Sequence, residues 1–101
     1  MSRYRKTNTA VDANQEEIVK TLRQIPGVSV ALGHDDILVG FSGKTYWYEL
    51  KNPDGLNKLR PSQVKLQNEW TGHYRVVTTV YEIIDEISLD NPIKVIHLHH
   101  K

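Results

Sequence analysis

Apolar residues recur at helical spacing in three segments of the chain. The three stripes are Val11, Ile18, Leu22 and Ile25; Leu59, Leu66 and Trp70; and Val80, Ile83, Ile84 and Ile87. They predict a first helix from about Asp12, its N-cap, to about residue 25, where Pro-Gly follows. A second helix is predicted from Pro61 to about residue 71. The third begins with the capping box of Thr79 and Glu82.

Short β-branched and aromatic runs lie between these helices, at residues 28–32, 36–39, 45–50 and 73–78. Gly40, Ser42 and Gly43 separate the second run from the third, and glycines give the backbone freedom that a hairpin turn needs. With Ser42-Gly43 as a two-residue loop, Asp36 faces Glu49 across the hairpin. A slip of one residue would move Asp36 to the other face of the sheet.

The order helix, three strands, helix, strand, helix predicts an α/β fold in which helices cover both faces of a small mixed sheet. The crossover through the second helix predicts that strand 73–78 runs parallel to strand 45–50. A chain of 101 residues suits one domain. We place this domain at residues 12–90, between a basic N-terminal arm at 1–11 and a C-terminal strand or tail at 91–101.

Composition narrows the class of protein. The chain has no cysteine, which excludes disulfides and thiolate zinc sites. It has no apolar run near the ~20 residues that cross a bilayer and no signal-peptide core, so we expect a soluble cytoplasmic protein without a membrane partner. The net charge of +1 means that any basic surface is local. Arg3, Arg5 and Lys6 form either a frayed terminus or an arm for a phosphate backbone.

The hairpin register places two carboxylates on one face of the sheet. Side chains of Asp36 and Glu49 directly opposite each other would lie roughly 5 Å apart at Cβ and repel. A divalent cation between them would remove this repulsion, and Lys51 follows on the same face. Alternatively, the group is a solvated, charged strand end. Gln63 interrupts the apolar stripe of the second helix, and a buried amide must find partners. Gln15 flanks the stripe of the first helix, from which it could reach the sheet.

These residues resemble the signature of the PD-(D/E)XK nuclease superfamily, an acidic residue followed after a variable gap by acidic-X-Lys. Asp36-Ile-Leu-Val-Gly40 resembles the first half, although Asp35 stands where proline is frequent, and Glu49-Leu-Lys51 matches the second. Three further landmarks are similar to small stand-alone VRR-NUC domains, which are frequent in phages and related to Holliday-junction resolvases. They are Lys51-Asn-Pro53, Leu59-Arg-Pro-Ser-Gln63 and Trp70-Thr-Gly72. The resemblance covers about residues 12 to 88.

The resemblance implies a restriction-endonuclease-like core and metal-dependent hydrolysis of phosphodiester bonds. It implies that Asp36, Glu49 and the Leu50 carbonyl coordinate Mg²⁺ or Mn²⁺, which polarises the phosphate and activates water. Lys51 would orient that water or offset charge on the phosphate. Gln63 would anchor the lysine, a water or the phosphate.

The first helix departs from the family pattern. Relatives often carry a catalytic glutamate there, whereas the inward position in this chain is Gln15, and Glu16 and Glu17 face outward. We expect Gln15 to assist the site from this helix, as Gln63 does from the second.

The implied partner is DNA, with branched, flapped or junction DNA as the expected substrate of an endonuclease. A homodimer presenting two sites is expected because so small a domain has little surface for selecting a junction. A phage-encoded protein would act in the cytoplasm of its bacterial host. Two alternatives stay open, since a fold does not determine a function. One is a catalytically quiet nucleic-acid-binding module, and the other is a small structural or interaction protein with an incidental acidic pair.

Overall fold

The computed structural model of the protein describes residues 9–33, 36–52 and 60–92, and only the backbone of residues 9–12. The elements in chain order are α1 (Thr9–Arg23), β1 (Val28–Leu32), β2 (Asp36–Phe41), β3 (Lys44–Leu50), α2 (Pro61–Glu69), β4 (Arg75–Val77) and α3 (Val80–Asp90). The predicted order of elements is confirmed. Most of the predicted N-terminal arm and of the C-terminal strand or tail lies outside the described residues.

The strands form a mixed four-stranded sheet in the order β1-β2-β3-β4. The first two pairings are antiparallel, and β3 pairs with β4 in parallel, as the crossover predicted. The hairpin has the predicted register, with Asp36 opposite Glu49. Its loop residues both have positive φ, 55° at Ser42 and 79° at Gly43. Two such residues in succession match the right-handed twist of the flanking strands, which explains the two-residue loop.

β4 is shorter than the predicted strand 73–78, because side chains occupy the hydrogen-bonding positions at both ends. The His73 ring accepts the backbone N–H of Trp47 at Nδ1, 3.0 Å away, where a parallel strand would offer a carbonyl. At the other end, Glu82 Oε1 accepts the backbone N–H groups of Thr78 and Thr79 at 2.7 and 3.2 Å. Thr78 therefore belongs to the cap of α3 and no longer to the strand.

The helix ends differ from prediction by two or three residues. α1 begins at Thr9 rather than near Asp12, since Ala10 is a strong helix former and neither glycine nor proline stops the helix there. Residues 9–11 are thus helical, although we assigned them to the arm. α1 ends at Arg23 because the next turn tightens, with Ile25 N donating to Leu22 O at 3.0 Å. α2 ends at Glu69, before an extended residue at position 70.

The hydrophobic core lies on one face of the sheet, beneath α1 and α3. Alternate residues of β2 and β3 point into it, as period-two alternation requires. Its buried members are Ile18, Val19, Leu22, Ile37, Val39, Phe41, Tyr46, Tyr48, Leu50, Val77, Ile83 and Ile87. Within the described ranges no helix is both long enough and apolar enough to cross a membrane. The remaining hairpin side chains point to the opposite face, where α2 lies.

Candidate functional site

Asp36 and Glu49 lie opposite each other on the face of the sheet that points away from the core. Asp36 is partly buried, and Glu49 is only 4% exposed. Burying a carboxylate is costly unless its oxygens find hydrogen-bond donors or a cation. The neighbours of these two side chains therefore decide what the pair can do.

Gln63 reaches this face from the first turn of α2 and contacts the charged side chains of Glu49 and Lys51. Its Nε2 donates to Glu49 Oε2 at 2.7 Å. Its Oε1 accepts from Lys51 Nζ at 3.3 Å and from the backbone N–H of Arg60 at 2.9 Å. With three such bonds and 5% exposure, the amide is oriented from both ends. This confirms that the glutamine in the apolar stripe is buried and finds partners.

Lys51 extends the cluster just beyond the end of β3. Its Nζ lies 3.6 Å from Glu49 Oε2, and its side chain is 13% exposed. Burial of this pair weakens solvent screening, so the ammonium acts more strongly on neighbouring charges than at an open surface. The backbone of Lys51 is fixed as well, because its N–H donates to Val77 O at 2.9 Å.

The first helix contacts the strand ends through Asn14 rather than Gln15. Asn14 Nδ2 donates to the backbone carbonyls of Lys51 and Thr78, at 3.1 and 3.3 Å. Gln15 lies beside an open groove between α1 and Leu32, and its Nε2 is buried without a partner in the described part of the chain. No hydrogen bond joins Gln15 to the described Asp36, Glu49, Lys51 or Gln63, so its predicted role stays a prediction.

Trp47 also belongs to the site, although the sequence reasoning did not include it. Its Nε1 donates to Asp36 Oδ2 at 2.7 Å. The signal was present in the hairpin register, because Trp47 precedes Glu49 by two residues and therefore shares its face. A tryptophan that is near a carboxylate and partly buried usually directs its single donor to an acceptor.

The oxygen atoms at this position fit a hard divalent cation such as Mg²⁺ or Mn²⁺. Asp36 Oδ1 makes no hydrogen bond within the described part of the chain, and a Cβ atom at Gly33 would collide with it. The missing side chain of Gly33 therefore allows Asp36 to adopt this orientation. Successive residues of a strand direct their backbone N–H and C=O groups to opposite neighbouring strands. The N–H of Lys51 points to β4, where it donates to Val77 O. The Leu50 carbonyl is therefore directed towards the β2 side of the strand.

Two carboxylates and a carbonyl form the candidate ligand set. Among residues 9–33, 36–52 and 60–92 there is no group of three or more His, Cys, Asp or Glu side chains arranged for a metal. Mg²⁺ usually keeps several waters and binds proteins through one or two carboxylates. A set of this size is therefore sufficient for Mg²⁺.

A second polar cluster lies at the opposite face of the sheet, around Glu86 of α3. Its carboxylate accepts from Tyr48 OH at 2.8 Å and Arg75 Nη1 at 3.2 Å, and His73 Nε2 lies 2.9 Å away. Burial, together with the Glu86 hydrogen bond, raises the pKa of Tyr48. Burial alone would raise the pKa of Glu86, but hydrogen bonds from Tyr48, His73 and Arg75 hold that pKa below its ordinary value of 4.5. These contacts attach α3 to the sheet.

Comparison of the chain with protein-family models, curated proteins and solved structures gave no match. The protein is a small mixed α/β fold that carries an acidic pair, a lysine and a glutamine on one face of its sheet.

Proposed function

We propose that the protein is a divalent-metal-dependent nuclease of the PD-(D/E)XK superfamily, with a restriction-endonuclease-like fold similar to the small VRR-NUC domains. The observation that carries the proposal is the cluster of Asp36, Glu49, Lys51 and Gln63 on one face of the sheet. The lysine, the glutamine and Glu49 satisfy one another by hydrogen bonds and an ion pair, which holds these charged groups in place beside Asp36. The reaction is hydrolysis of a phosphodiester bond in DNA.

The acidic pair and the Leu50 carbonyl would hold Mg²⁺ or Mn²⁺. When bound there, the ion polarises the scissile phosphate and lowers the pKa of the attacking water. The contribution of Asp36 and Glu49 is to present carboxylate oxygens from two paired strands, where backbone hydrogen bonds fix their separation. Trp47 restricts Asp36 further by occupying its Oδ2.

Lys51 provides the positive charge that does not depend on a bound ion. Its ammonium would contact a phosphate oxygen or the attacking water and stabilise negative charge that develops on the phosphate. Gln63 is a positioning residue, because it contacts both Lys51 and Glu49 and fixes their relative orientation. Such preorganisation matters because small displacements of a reacting group reduce rates strongly.

Branched, flapped or junction DNA is the proposed substrate, and a homodimer the proposed assembly. β1 forms an edge of the sheet within the described part of the chain, and Arg23 Nη2 donates to its Val30 carbonyl at 3.1 Å. Two copies related by a twofold axis would present two cleavage sites to the two strands of a junction.

The test is cleavage of a panel of linear, flap and four-way DNA in Mg²⁺ by Glu49→Gln and Lys51→Ala. Each substitution should lower the cleavage rate by roughly 10²–10³-fold, the usual cost of removing one preorganised electrostatic group. Asp85→Asn and Lys20→Ala remove similar charges from exposed helix positions and serve as matched controls. Calorimetric titration with Mn²⁺ should detect binding to the parent and weaker binding to Glu49→Gln.

Cleavage at the parent rate by either folded site variant would contradict the assignment. Binding of DNA and Mn²⁺ without cleavage of any substrate would instead support the quiet binding module. Absence of both activities would leave the acidic pair as an incidental feature of a structural protein.

A further inference from the structure

An apolar groove of about 390 Å³ lies directly beside the acidic pair, between the sheet and the end of α2. Its lining includes Leu32, Leu38, Trp47 and Trp70, and Asp36 closes one end. Three of these apolar side chains are well exposed, Leu32 at 57%, Leu38 at 43% and Trp70 at 49%. Exposed apolar side chains gathered in a concave surface are typical of a ligand site.

The two tryptophans of the groove are held in fixed positions by their neighbours. The rings of Trp47 and Trp70 meet edge to face with centroids 5.4 Å apart, and Trp47 packs in the same way on Tyr74 at 4.8 Å. A Cβ atom at Gly72 would lie 2.9 Å from Trp70 Nε1, so the absence of a side chain there makes room for the indole. Trp70 is therefore both exposed and positioned, contrary to its expected place on a buried stripe.

Charged groups of both signs border the groove on two sides. Lys51 lies at the acidic pair, which shares Asp36 with the groove. Trp70 also borders a neighbouring hollow of about 310 Å³, whose lining includes Ser62, Lys65 and Glu69. A ligand with a flat apolar ring between negative groups would contact the exposed indole, with the two lysines to meet its charges and, under the proposed function, a metal ion at the acidic pair. A nucleotide within a strand has these properties, since its base lies between two phosphates.

We infer that this groove binds an unpaired nucleobase of the strand to be cut, in contact with the Trp70 indole. The inference rests on the proposed function, because it takes the strand at Asp36 to be nucleic acid. A base inside a duplex has both faces covered by its neighbours and cannot enter. The groove thus selects DNA with a single-stranded nucleotide next to the cleavage point, which defines the substrate class as a flap, a junction with unpaired bases or a free single strand.

Binding to three oligonucleotides of equal length tests the inference: oligothymidylate, the same strand with abasic positions, and a duplex. Chelator is present, so that no strand is cut and catalysis plays no part. The chain has two tryptophans, both in the groove, so their fluorescence reports on it directly. We expect oligothymidylate to quench this fluorescence and to bind more tightly than the abasic strand and the duplex.

The Trp70→Ala variant should weaken oligothymidylate binding by roughly 5- to 100-fold, as measured by anisotropy of a labelled strand, and leave abasic-strand binding unchanged. Trp70→Phe keeps an aromatic face and should retain most of the affinity. Tyr81→Ala removes an aromatic side chain of 72% exposure from α3 and should bind like the parent.

Equal binding of the base-containing and abasic strands, or no binding of either, would overturn the inference. A fluorescence change that depends on protein concentration and not on added oligonucleotide would also overturn it, because the groove would then be a contact between two copies of the chain. These outcomes are independent of the cleavage rates of Glu49→Gln and Lys51→Ala. If the parent protein binds bases but cleaves no DNA, the proposed nuclease function is overturned and the assignment of the groove to base binding stands.

Discussion

Gln63 Nε2 lies 2.7 Å from Glu49 Oε2, and both side chains are at least nine-tenths buried. Hydrogen bonds to a charged partner contribute about 1.5–3 kcal/mol, and a buried group that loses its partner is destabilising. We therefore expect Gln63→Ala to lower the free energy of unfolding in urea by about 1.5–3 kcal/mol. Gln67→Ala removes an exposed amide from the same helix and should change it by less than about 0.5 kcal/mol. Equal effects of the two changes would contradict a specific role for Gln63.

A bound cation should stabilise the folded protein. A ligand that binds only the folded state adds RT ln(1 + [L]/Kd), which is about 1.4 kcal/mol at ten times Kd. Mn²⁺ should accordingly raise the melting temperature of the parent and of Glu69→Gln. It should have little effect on Asp36→Asn, which loses a carboxylate of the pair. An equal rise in Asp36→Asn would show that the ion binds elsewhere.

Replacement of Gly72 should move Trp70 without unfolding the protein. The added Cβ of Gly72→Ala lies too close to Trp70 Nε1, and an exposed indole can shift to relieve the contact. We expect a changed tryptophan emission spectrum and weaker binding of oligothymidylate, with a melting temperature near that of the parent. Gly43 is the control position, since it has open space around it and a φ of 79°. Gly43→Ala should lower stability through strain in the turn and leave the tryptophan emission spectrum unchanged.

Acid should destabilise the protein partly through Glu86. Because its pKa in the folded state lies below the ordinary 4.5, its contribution is present above 4.5 and is lost as the pH falls through the lower, folded value. We expect Glu86→Gln to be less stable than the parent at neutral pH and to lose less stability on acidification, as measured by urea unfolding across this range. The exposed Glu69→Gln should follow the parent curve. A parallel acid dependence of Glu86→Gln and the parent would contradict this origin.

The hydrogen bonds of His73 determine where its ring carries a proton. Nδ1 accepts the Trp47 N–H, so the neutral ring is protonated at Nε2, which faces Glu86. Nitrogen NMR of the neutral ring should show this tautomer. His73→Ala should speed amide exchange at Trp47, because its N–H loses an acceptor, whereas His73→Asn keeps a side-chain oxygen that can accept it. An unchanged exchange rate in His73→Ala would contradict the contact.

The hairpin and its acidic pair were predictable because they depend on local sequence. A two-residue loop at Ser42-Gly43 sets the register, and alternation then sets the face of every side chain. The burial of Gln63 was also predictable, as was its need for partners, since a buried amide must form hydrogen bonds. These predictions needed only periodicity and the rule that buried polar groups are satisfied. Lys51 as a partner was implied by the family resemblance, and Glu49 was not predicted.

The contacts of Asn14 and Trp70 could not be predicted in the same way. Asn14 bonds to carbonyls 37 and 64 residues away, and helical periodicity gave it and Gln15 equivalent places beside the apolar stripe. Their difference depends on how α1 lies across the sheet. Trp70 lies at the end of α2, where the stripe extends beyond the sheet and the ring is half exposed. Long-range packing decides both cases.

The two-residue loop at Ser42-Gly43 has a further consequence for how this protein tolerates insertions. Even-numbered residues of β2 and odd-numbered residues of β3 form the site, while those of opposite parity form the core. Inserting or deleting a single residue within either strand would turn every residue on one side of the insertion or deletion to the opposite face of the sheet. A carboxylate would then lie in the core and an apolar side chain at the site. Lengthening the loop itself keeps both sets in place. Length variation in relatives of this chain should therefore be confined to the turn, with the spacing from Asp36 to Glu49 varying and that from Trp47 to Lys51 constant.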